Sequence, residues 1–160
     1  MFPRLAESPD CRDDVRPGEI YGAGAIDSGA TPVQKRVLVV EDNLAQRAVA
    51  RSSLQHAGFD VSVESNGRDG WLALEQQPID VVISDQLMPE MTGFELFRRM
   101  RQDPRFADLP LILLTAQGLD CDRQCRELRV GKLIHKPFSP RELVAAVADC
   151  LKPLELCKPI

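Results

Sequence analysis

The stretch Lys35-Arg36-Val37-Leu38-Val39-Val40-Glu41-Asp42-Asn43 decides how the rest of the chain is read. Four apolar residues stand in a row after two cations and run straight into two acids. A strand with one face in water alternates apolar and polar residues; an unbroken run suits a strand covered on both faces, as in a parallel sheet with helices above and below. Working outward, shorter runs recur at Val81 to Ile83, Leu111 to Leu114 and Leu133-Ile134, with a weaker one at Val61 to Val63. Longer amphipathic segments separate them. The pattern predicts a βα unit repeated five times, an α/β fold with a doubly wound parallel sheet.

The intervening segments carry helix signals. Asn43 to Ala57 places Ala50, Leu54 and Ala57 on one face and meets Gly58 as its stop. A second helix from Gly67 to Gln77 turns Trp71 and Leu74 inward, with Pro78 ending it. Gly70 inside it costs about 1 kcal/mol relative to Ala, making it the weakest helix by propensity. Gly93 to Gln102 buries Phe97 and Met100, and a fourth helix lies within Asp120 to Leu128. The last is the best marked: Ser139 as N-cap, Pro140 in the first turn, Glu142 completing a capping box, and Val144, Val147 and Leu151 facing inward.

Composition narrows the function. The 160 residues suffice for one domain with a real core, and 44% apolar with 28% charged residues is ordinary for a soluble globular protein. A formal charge of −4 offers no footprint for a phosphate backbone. No apolar run approaches the roughly 18 residues of a bilayer span. Neither nucleic acid nor membrane is therefore an expected partner. Met1-Phe2-Pro3-Arg4-Leu5 lacks the basic region and apolar stretch of a signal peptide, so a cytoplasmic location is expected. The cysteines, Cys11, Cys121, Cys125, Cys150 and Cys157, are odd in number and scattered, which fits reduced thiols; Cys121 and Cys125 alone do not make a zinc site. Residues 1–34 are rich in Pro, Gly and acids without sustained periodicity and read as a flexible tail; 35–152 form the folded domain and 153–160 a short C-terminal tail. Gly22-Ala23-Gly24 follows no strand and lacks a properly spaced third Gly, so it is not a dinucleotide loop.

In an open α/β sheet the ligand site lies beyond the carboxyl ends of the strands. The residues delivered there are Glu41-Asp42, Asp85, Thr115-Ala116 and Lys136-Pro137. Clustered carboxylates repel, and one is pushed toward protonation unless a cation neutralises the group. All-oxygen ligation suits Mg²⁺, and the Lys136 ammonium suits a phosphoryl oxygen. The set meets the needs of phosphoryl transfer to a carboxylate: a nucleophile, a metal across the developing charge, and donors for the equatorial oxygens. Small Ala116 leaves room for the incoming group. Singly, each residue has a plainer reading: acids at a helix N-terminus, a Thr ending a strand, a solvated strand-end Lys. Their joint placement outweighs those readings. His56 complements a helix end, and His135 points away from Lys136 toward the surface. Phe2, Tyr21 and Phe106 are taken as incidental.

Leu38-Val39-Val40-Glu41-Asp42-Asn43, Asp85-Gln86-Leu87-Met88-Pro89-Glu90-Met91-Thr92-Gly93, Leu113-Leu114-Thr115-Ala116 and His135-Lys136-Pro137-Phe138 resemble, in order and near the expected spacing, the receiver domain of two-component response regulators. The match covers about Lys35 to Leu151. The resemblance implies a flavodoxin-like, chemotaxis-regulator fold of strand order 2-1-3-4-5 with five helices. It implies that Asp85 accepts a phosphoryl group from a histidine kinase or histidine phosphotransfer protein. Asp42, Asp85 and the backbone carbonyl of Leu87 would hold Mg²⁺, with Glu41 acting mainly through water. Thr115 would close onto the phosphoryl group, Lys136 would pair with it, and the bond before Pro137 would be cis. Phosphorylation would then bias the fourth strand, fourth helix and fifth strand and alter docking to an unknown downstream protein. The chain would be a stand-alone signalling phosphoacceptor, an enzyme only toward its own phosphorylation and dephosphorylation.

The chain departs from this family in places. Leu133 stands where an aromatic residue is usual, and Thr115 to Lys136 is about one residue short. Gly118-Leu119-Asp120-Cys121-Asp122 is an unusual opening for a helix, and Leu87 and Gln117 occupy the variable positions that tune phosphoryl lifetime. Two other classes compete. A haloacid-dehalogenase-like phosphatase would need a second acid where Leu87 stands, and a receiver-fold scaffold would bind its partner equally with and without Mg²⁺ and phosphodonor. Removing Met1 to Gln34 is expected to leave the melting temperature and phosphoryl uptake from acetyl phosphate unchanged; loss of either contradicts the reading of that stretch as a tail.

Overall fold

Four apolar residues in a row have two faces to hide, and both are covered. The structure, a computed structural model, describes residues 33–116 and 121–152. Most of the N-terminal segment, residues 153–160, Gln117 and Gly118 to Asp120 lie outside the described residues, as do Cys11, Tyr21 and Cys157. The elements follow in the order β1 (Arg36–Val40), α1 (Leu44–His56), β2 (Asp60–Glu64), α2 (Gly67–Gln76), β3 (Val81–Asp85), α3 (Gly93–Gln102), β4 (Leu111–Ala116), α4 (Asp122–Glu127), β5 (Lys132–Lys136) and α5 (Pro140–Leu151). The strands form one parallel sheet of order β2-β1-β3-β4-β5.

Alternate residues of the buried strands feed two separate cores. Val37 and Val39 pack with Val81, Ile83, Ile112 and Leu114 against Ala50 and Leu54 of α1 and Leu143, Ala146 and Val147 of α5. Leu38 and Val40 face the other way, with Val82, Leu111 and Leu113, against Trp71 and Leu74 of α2 and Phe97 and Met100 of α3. The chain leaves β1 for β2 on one side and returns across β1 to β3 on the other. That reversal opens a crevice between the carboxyl ends of β1 and β3, where Glu41-Asp42 and Asp85 emerge. Among the described residues no helix is long and apolar enough to cross a membrane.

Several local expectations need correction. Asp85, Ala116 and Lys136 are the last residues of β3, β4 and β5 rather than residues beyond them, so the sheet ladder itself holds their backbones. Ala57 is the exposed C-cap of α1, not part of its inner face, and Gly58 follows with a left-handed φ of 93°. In α5 the buried face is Leu143, Ala146 and Val147, with Val144 and Leu151 at its margin. Ser139 accepts from the Glu142 N–H at 3.1 Å, whereas the full reciprocal capping box lies at α3, between Thr92 and Glu95. Phe106 is not incidental: it meets Trp71 edge-on, with centroids 5.4 Å apart.

The fourth helix is short for a visible reason. None of its residues is buried and no side chain caps its start. Buried Cys121 and Leu128 flank it, and at its C-terminal end the Arg101 guanidinium donates to the carbonyls of Leu128 (2.8 Å) and Arg129 (3.1 Å). The same guanidinium reaches the carbonyls of Ala107 and Leu109 before β4.

Gly70, a liability by propensity, is explained by packing. A Cβ there would sit 2.8 Å from a methyl of Val40 in β1. Overpacking of that kind costs about 1–3 kcal/mol against a propensity gain of about 1 kcal/mol. Gly70→Ala is therefore expected to lower the melting temperature by a few degrees, roughly 2–4 °C per kcal/mol in a chain of this size. A higher melting temperature by calorimetry contradicts the close approach of α2 to β1.

Candidate functional site

Glu41 leaves β1 into the crevice with only 1% of its surface exposed. One carboxylate oxygen accepts from the Asn43 N–H (3.1 Å), the other from Lys136 Nζ (2.8 Å). Arg47, one turn into α1, reaches back to donate to the Glu41 carbonyl at 2.8 Å, which fixes the turn presenting Glu41 and Asp42. Asn43 caps the same helix by accepting from the Gln46 N–H.

Asp85 closes β3, and its Oδ2 lies 3.1 Å from the same Lys136 Nζ. Its carbonyl accepts from the Ser84 hydroxyl at 2.9 Å. The loop after it folds back so tightly that any Cβ on Gly93 would collide with that carbonyl, while the Gly93 N–H donates to the Gln86 carbonyl at 3.0 Å. Only glycine fits there. Asp42 is exposed, and one carboxylate oxygen from each of Glu41, Asp42 and Asp85 lies within 4.8 Å of the others.

Burial is the largest influence on Glu41. Together with the nearby Asp85 charge it holds the carboxyl above its ordinary value, against the opposing Lys136 and Asn43 bonds. For Lys136 burial alone would favour the neutral amine, but the Glu41 bond and the charges of Asp85 and Glu41 outweigh it and raise the ammonium above its usual value. Lys136 is thus a cation at neutral pH. One ammonium pairs with two of three carboxylates whose oxygens lie within 4.8 Å of one another, all hard donors, and that set fits Mg²⁺.

The structure brings Glu41, Asp42, Asp85 and Lys136 together as expected. The Lys136-Pro137 bond is cis. Thr115 is fully buried, and its Oγ1 donates to Gln86 Oε1 at 2.5 Å rather than to a carboxylate. Ala116 is exposed at the end of β4, and the Leu87 side chain points outward, 60% exposed. Leu133 is partly buried against the α2/α3 core. His135 pairs in register with Thr115 and is exposed. Arg47 and Gln86 were missed by sequence reading. Arg47 one helical turn after the acids was a signal that could have been used; the Gln86 bond needs the β3/β4 register.

A carboxyl held above its ordinary value keeps its proton more tightly folded than unfolded, so the fold loses stability as pH rises through that value. Glu41→Gln keeps an acceptor for Lys136 without the charge. In EDTA at about pH 7 it is expected to melt above the wild type, with the gap closing as pH falls toward 4.5, the ordinary Glu value. Equal melting temperatures at both ends of that range contradict the cost assigned to this buried charge.

Comparison with known proteins agrees with this geometry. Residues 37–148 match the response regulator receiver domain. The phosphate regulon transcriptional regulatory protein PhoB of Pseudomonas aeruginosa is 34% identical over 122 residues, which cover 75% of this chain and 53% of that relative. The chain spans about half the length of the first curated relatives it matches. Among solved structures, the chemotaxis response regulator CheY4 of Vibrio cholerae is similar with a TM-score of 0.69 at 28% identity, over 74% of this chain and 99% of that one. The receiver domain of sensor histidine kinase PA1611 from Pseudomonas aeruginosa, solved with a magnesium ion coordinated in its active site cleft, aligns with a TM-score of 0.66 at 27% identity, over 72% of this chain and 96% of that one. With these relatives, this fold and this acid-lysine edge, the chain belongs to the response regulator receiver domain family of two-component signalling.

Proposed function

We propose that this receiver domain takes a phosphoryl group onto Asp85 from the phosphohistidine of a histidine kinase or histidine phosphotransfer protein. The observation that carries the reading is the Lys136 ammonium, held 2.8 Å from Glu41 and 3.1 Å from Asp85 at the mouth of the crevice. A carboxylate oxygen of Asp85 attacks the phosphorus, the phosphorus-nitrogen bond to the donor imidazole breaks, and the imidazole leaves with the bonding pair and takes a proton from solvent. Water later attacks the acyl phosphate and returns inorganic phosphate. Lys136 pairs with the phosphoryl oxygens, and Thr115 supplies a hydroxyl donor from the next strand end.

Asp42 and Asp85, with the Leu87 carbonyl and with Glu41 acting through water, would hold Mg²⁺. The ion would neutralise charge on the transferring group. The magnesium ion of the PA1611 receiver domain supports this reading. A groove of about 220 Å³, lined by Ala45, Gln46 and Val49 of α1 and by Pro137 and Phe138, opens beside Lys136 and suits the apolar flank of a docking donor. Output follows by changed docking to a downstream protein, and the chain's only catalysis is its own phosphorylation and dephosphorylation.

The test is an intact-mass spectrum after acetyl phosphate with Mg²⁺, with and without EDTA, beside Asp85→Asn. A single-phosphate increment that needs the metal and is absent in the variant is expected. If the folded wild type shows none, and a phosphohistidine donor also fails, the protein is a scaffold that binds its partner without a switch.

A further inference from the structure

We infer that Gln86 is a positioning residue for this site: its side-chain carbonyl holds the Thr115 hydroxyl in a resting position that the hydroxyl must leave to reach a phosphoryl group on Asp85. The inference rests on the phosphoacceptor reading above. Thr115 is fully buried, and its Oγ1 donates to Gln86 Oε1 at 2.5 Å. Among the described residues its other hydrogen-bond acceptor is the Ala116 carbonyl, at 3.3 Å. A hydroxyl carries one proton, so it cannot donate to Gln86 and to a phosphoryl oxygen at once.

Gln86 is well placed to hold its grip. Its N–H donates to the Leu114 carbonyl at 2.9 Å, and its own carbonyl accepts from the Gly93 N–H at 3.0 Å. The β3/β4 ladder therefore extends one residue past Asp85, with the start of α3 bonded behind it. With both backbone groups engaged, the backbone that carries the amide is fixed beside Thr115. On the same sheet face, β5 contributes Leu133, which has no polar atom, and the exposed His135 in register with Thr115; among the described residues neither bonds the hydroxyl. Switching thus exchanges one hydrogen bond for another, and Gln86 sets the starting level.

The test uses the full chain with Mg²⁺ and beryllofluoride as the phosphoryl mimic, read by NMR of the Thr115 methyl group. Gln86→Met keeps the length of the side chain and removes the acceptor. It is expected to turn a single Thr115 rotamer into an average in the free protein and to tighten beryllofluoride binding by about three- to tenfold, the range for losing one hydrogen bond in the resting state. In a Thr115→Val background the same substitution is expected to change the affinity by nothing measurable, because the bond it removes is already gone. An equal change in both backgrounds, or an unchanged affinity and rotamer, overturns the role of Gln86. A wild type that binds no beryllofluoride overturns the phosphoacceptor reading as well, whereas normal wild-type binding with no effect of Gln86→Met overturns this inference alone.

Discussion

A carboxylate with 1% of its surface in water needs a cation, and Glu41 finds one 95 residues away in Lys136. The pair spans the edge of the sheet, from the end of β1 across β3 and β4 to the end of β5. Removing the ammonium would strand the buried Glu41 charge. Asp85 lies between them and shares the ammonium, so the electrostatics of the whole edge turn on one nitrogen. The strand register, the tight Gly93 loop and the Arg47 contact to the Glu41 carbonyl all bring these groups to that nitrogen. The same pair leaves Asp42 facing solvent, on the side from which a metal ion or a donor must approach.

Much of this was legible in the sequence, because burial on two faces forces an unbroken apolar run and the residues at the end of each run must then lie on one edge. Val37 to Val40 and Leu111 to Leu114 announce themselves in that way. The sheet order and the expectation that Asp85 accepts a phosphoryl group came from the motifs around Asp85 and Lys136, not from periodicity. What escaped was whatever depends on two elements meeting. Gly70 looks like a defect until Val40 is seen beneath it, and Phe106 looks incidental until Trp71 is seen against it. The inner face of α5 was read slightly out of phase because Leu143 and Val144 are equally apolar and only the packing against α1 separates them.

The site also divides the work between rigid and adjustable parts. Asp85 is held in the ladder to β4 and both backbone groups of Gln86 are bonded, so the backbone that carries the carboxylate and the neighbouring amide forms a fixed frame. Thr115 sits in that frame with a rotatable hydroxyl, next to a fifth strand that offers aliphatic Leu133 where related domains usually have an aromatic ring. A rotor with a polar stop on one side and an aliphatic neighbour on the other is a simpler device than a coupled hydroxyl and ring. Its bias is set by local hydrogen bonding rather than by the space available to a large side chain.

The four carbonyls gathered by Arg101 tie together stretches of chain that are far apart in sequence. The clamp fastens the C-terminal end of α4 to α3 and to the approach to β4, and at the other end buried Cys121 precedes a helix that has no side-chain cap and no buried residue of its own. One guanidinium thus joins three separate stretches into a single knot, and α4 is fastened to the domain at its two ends and not along its length.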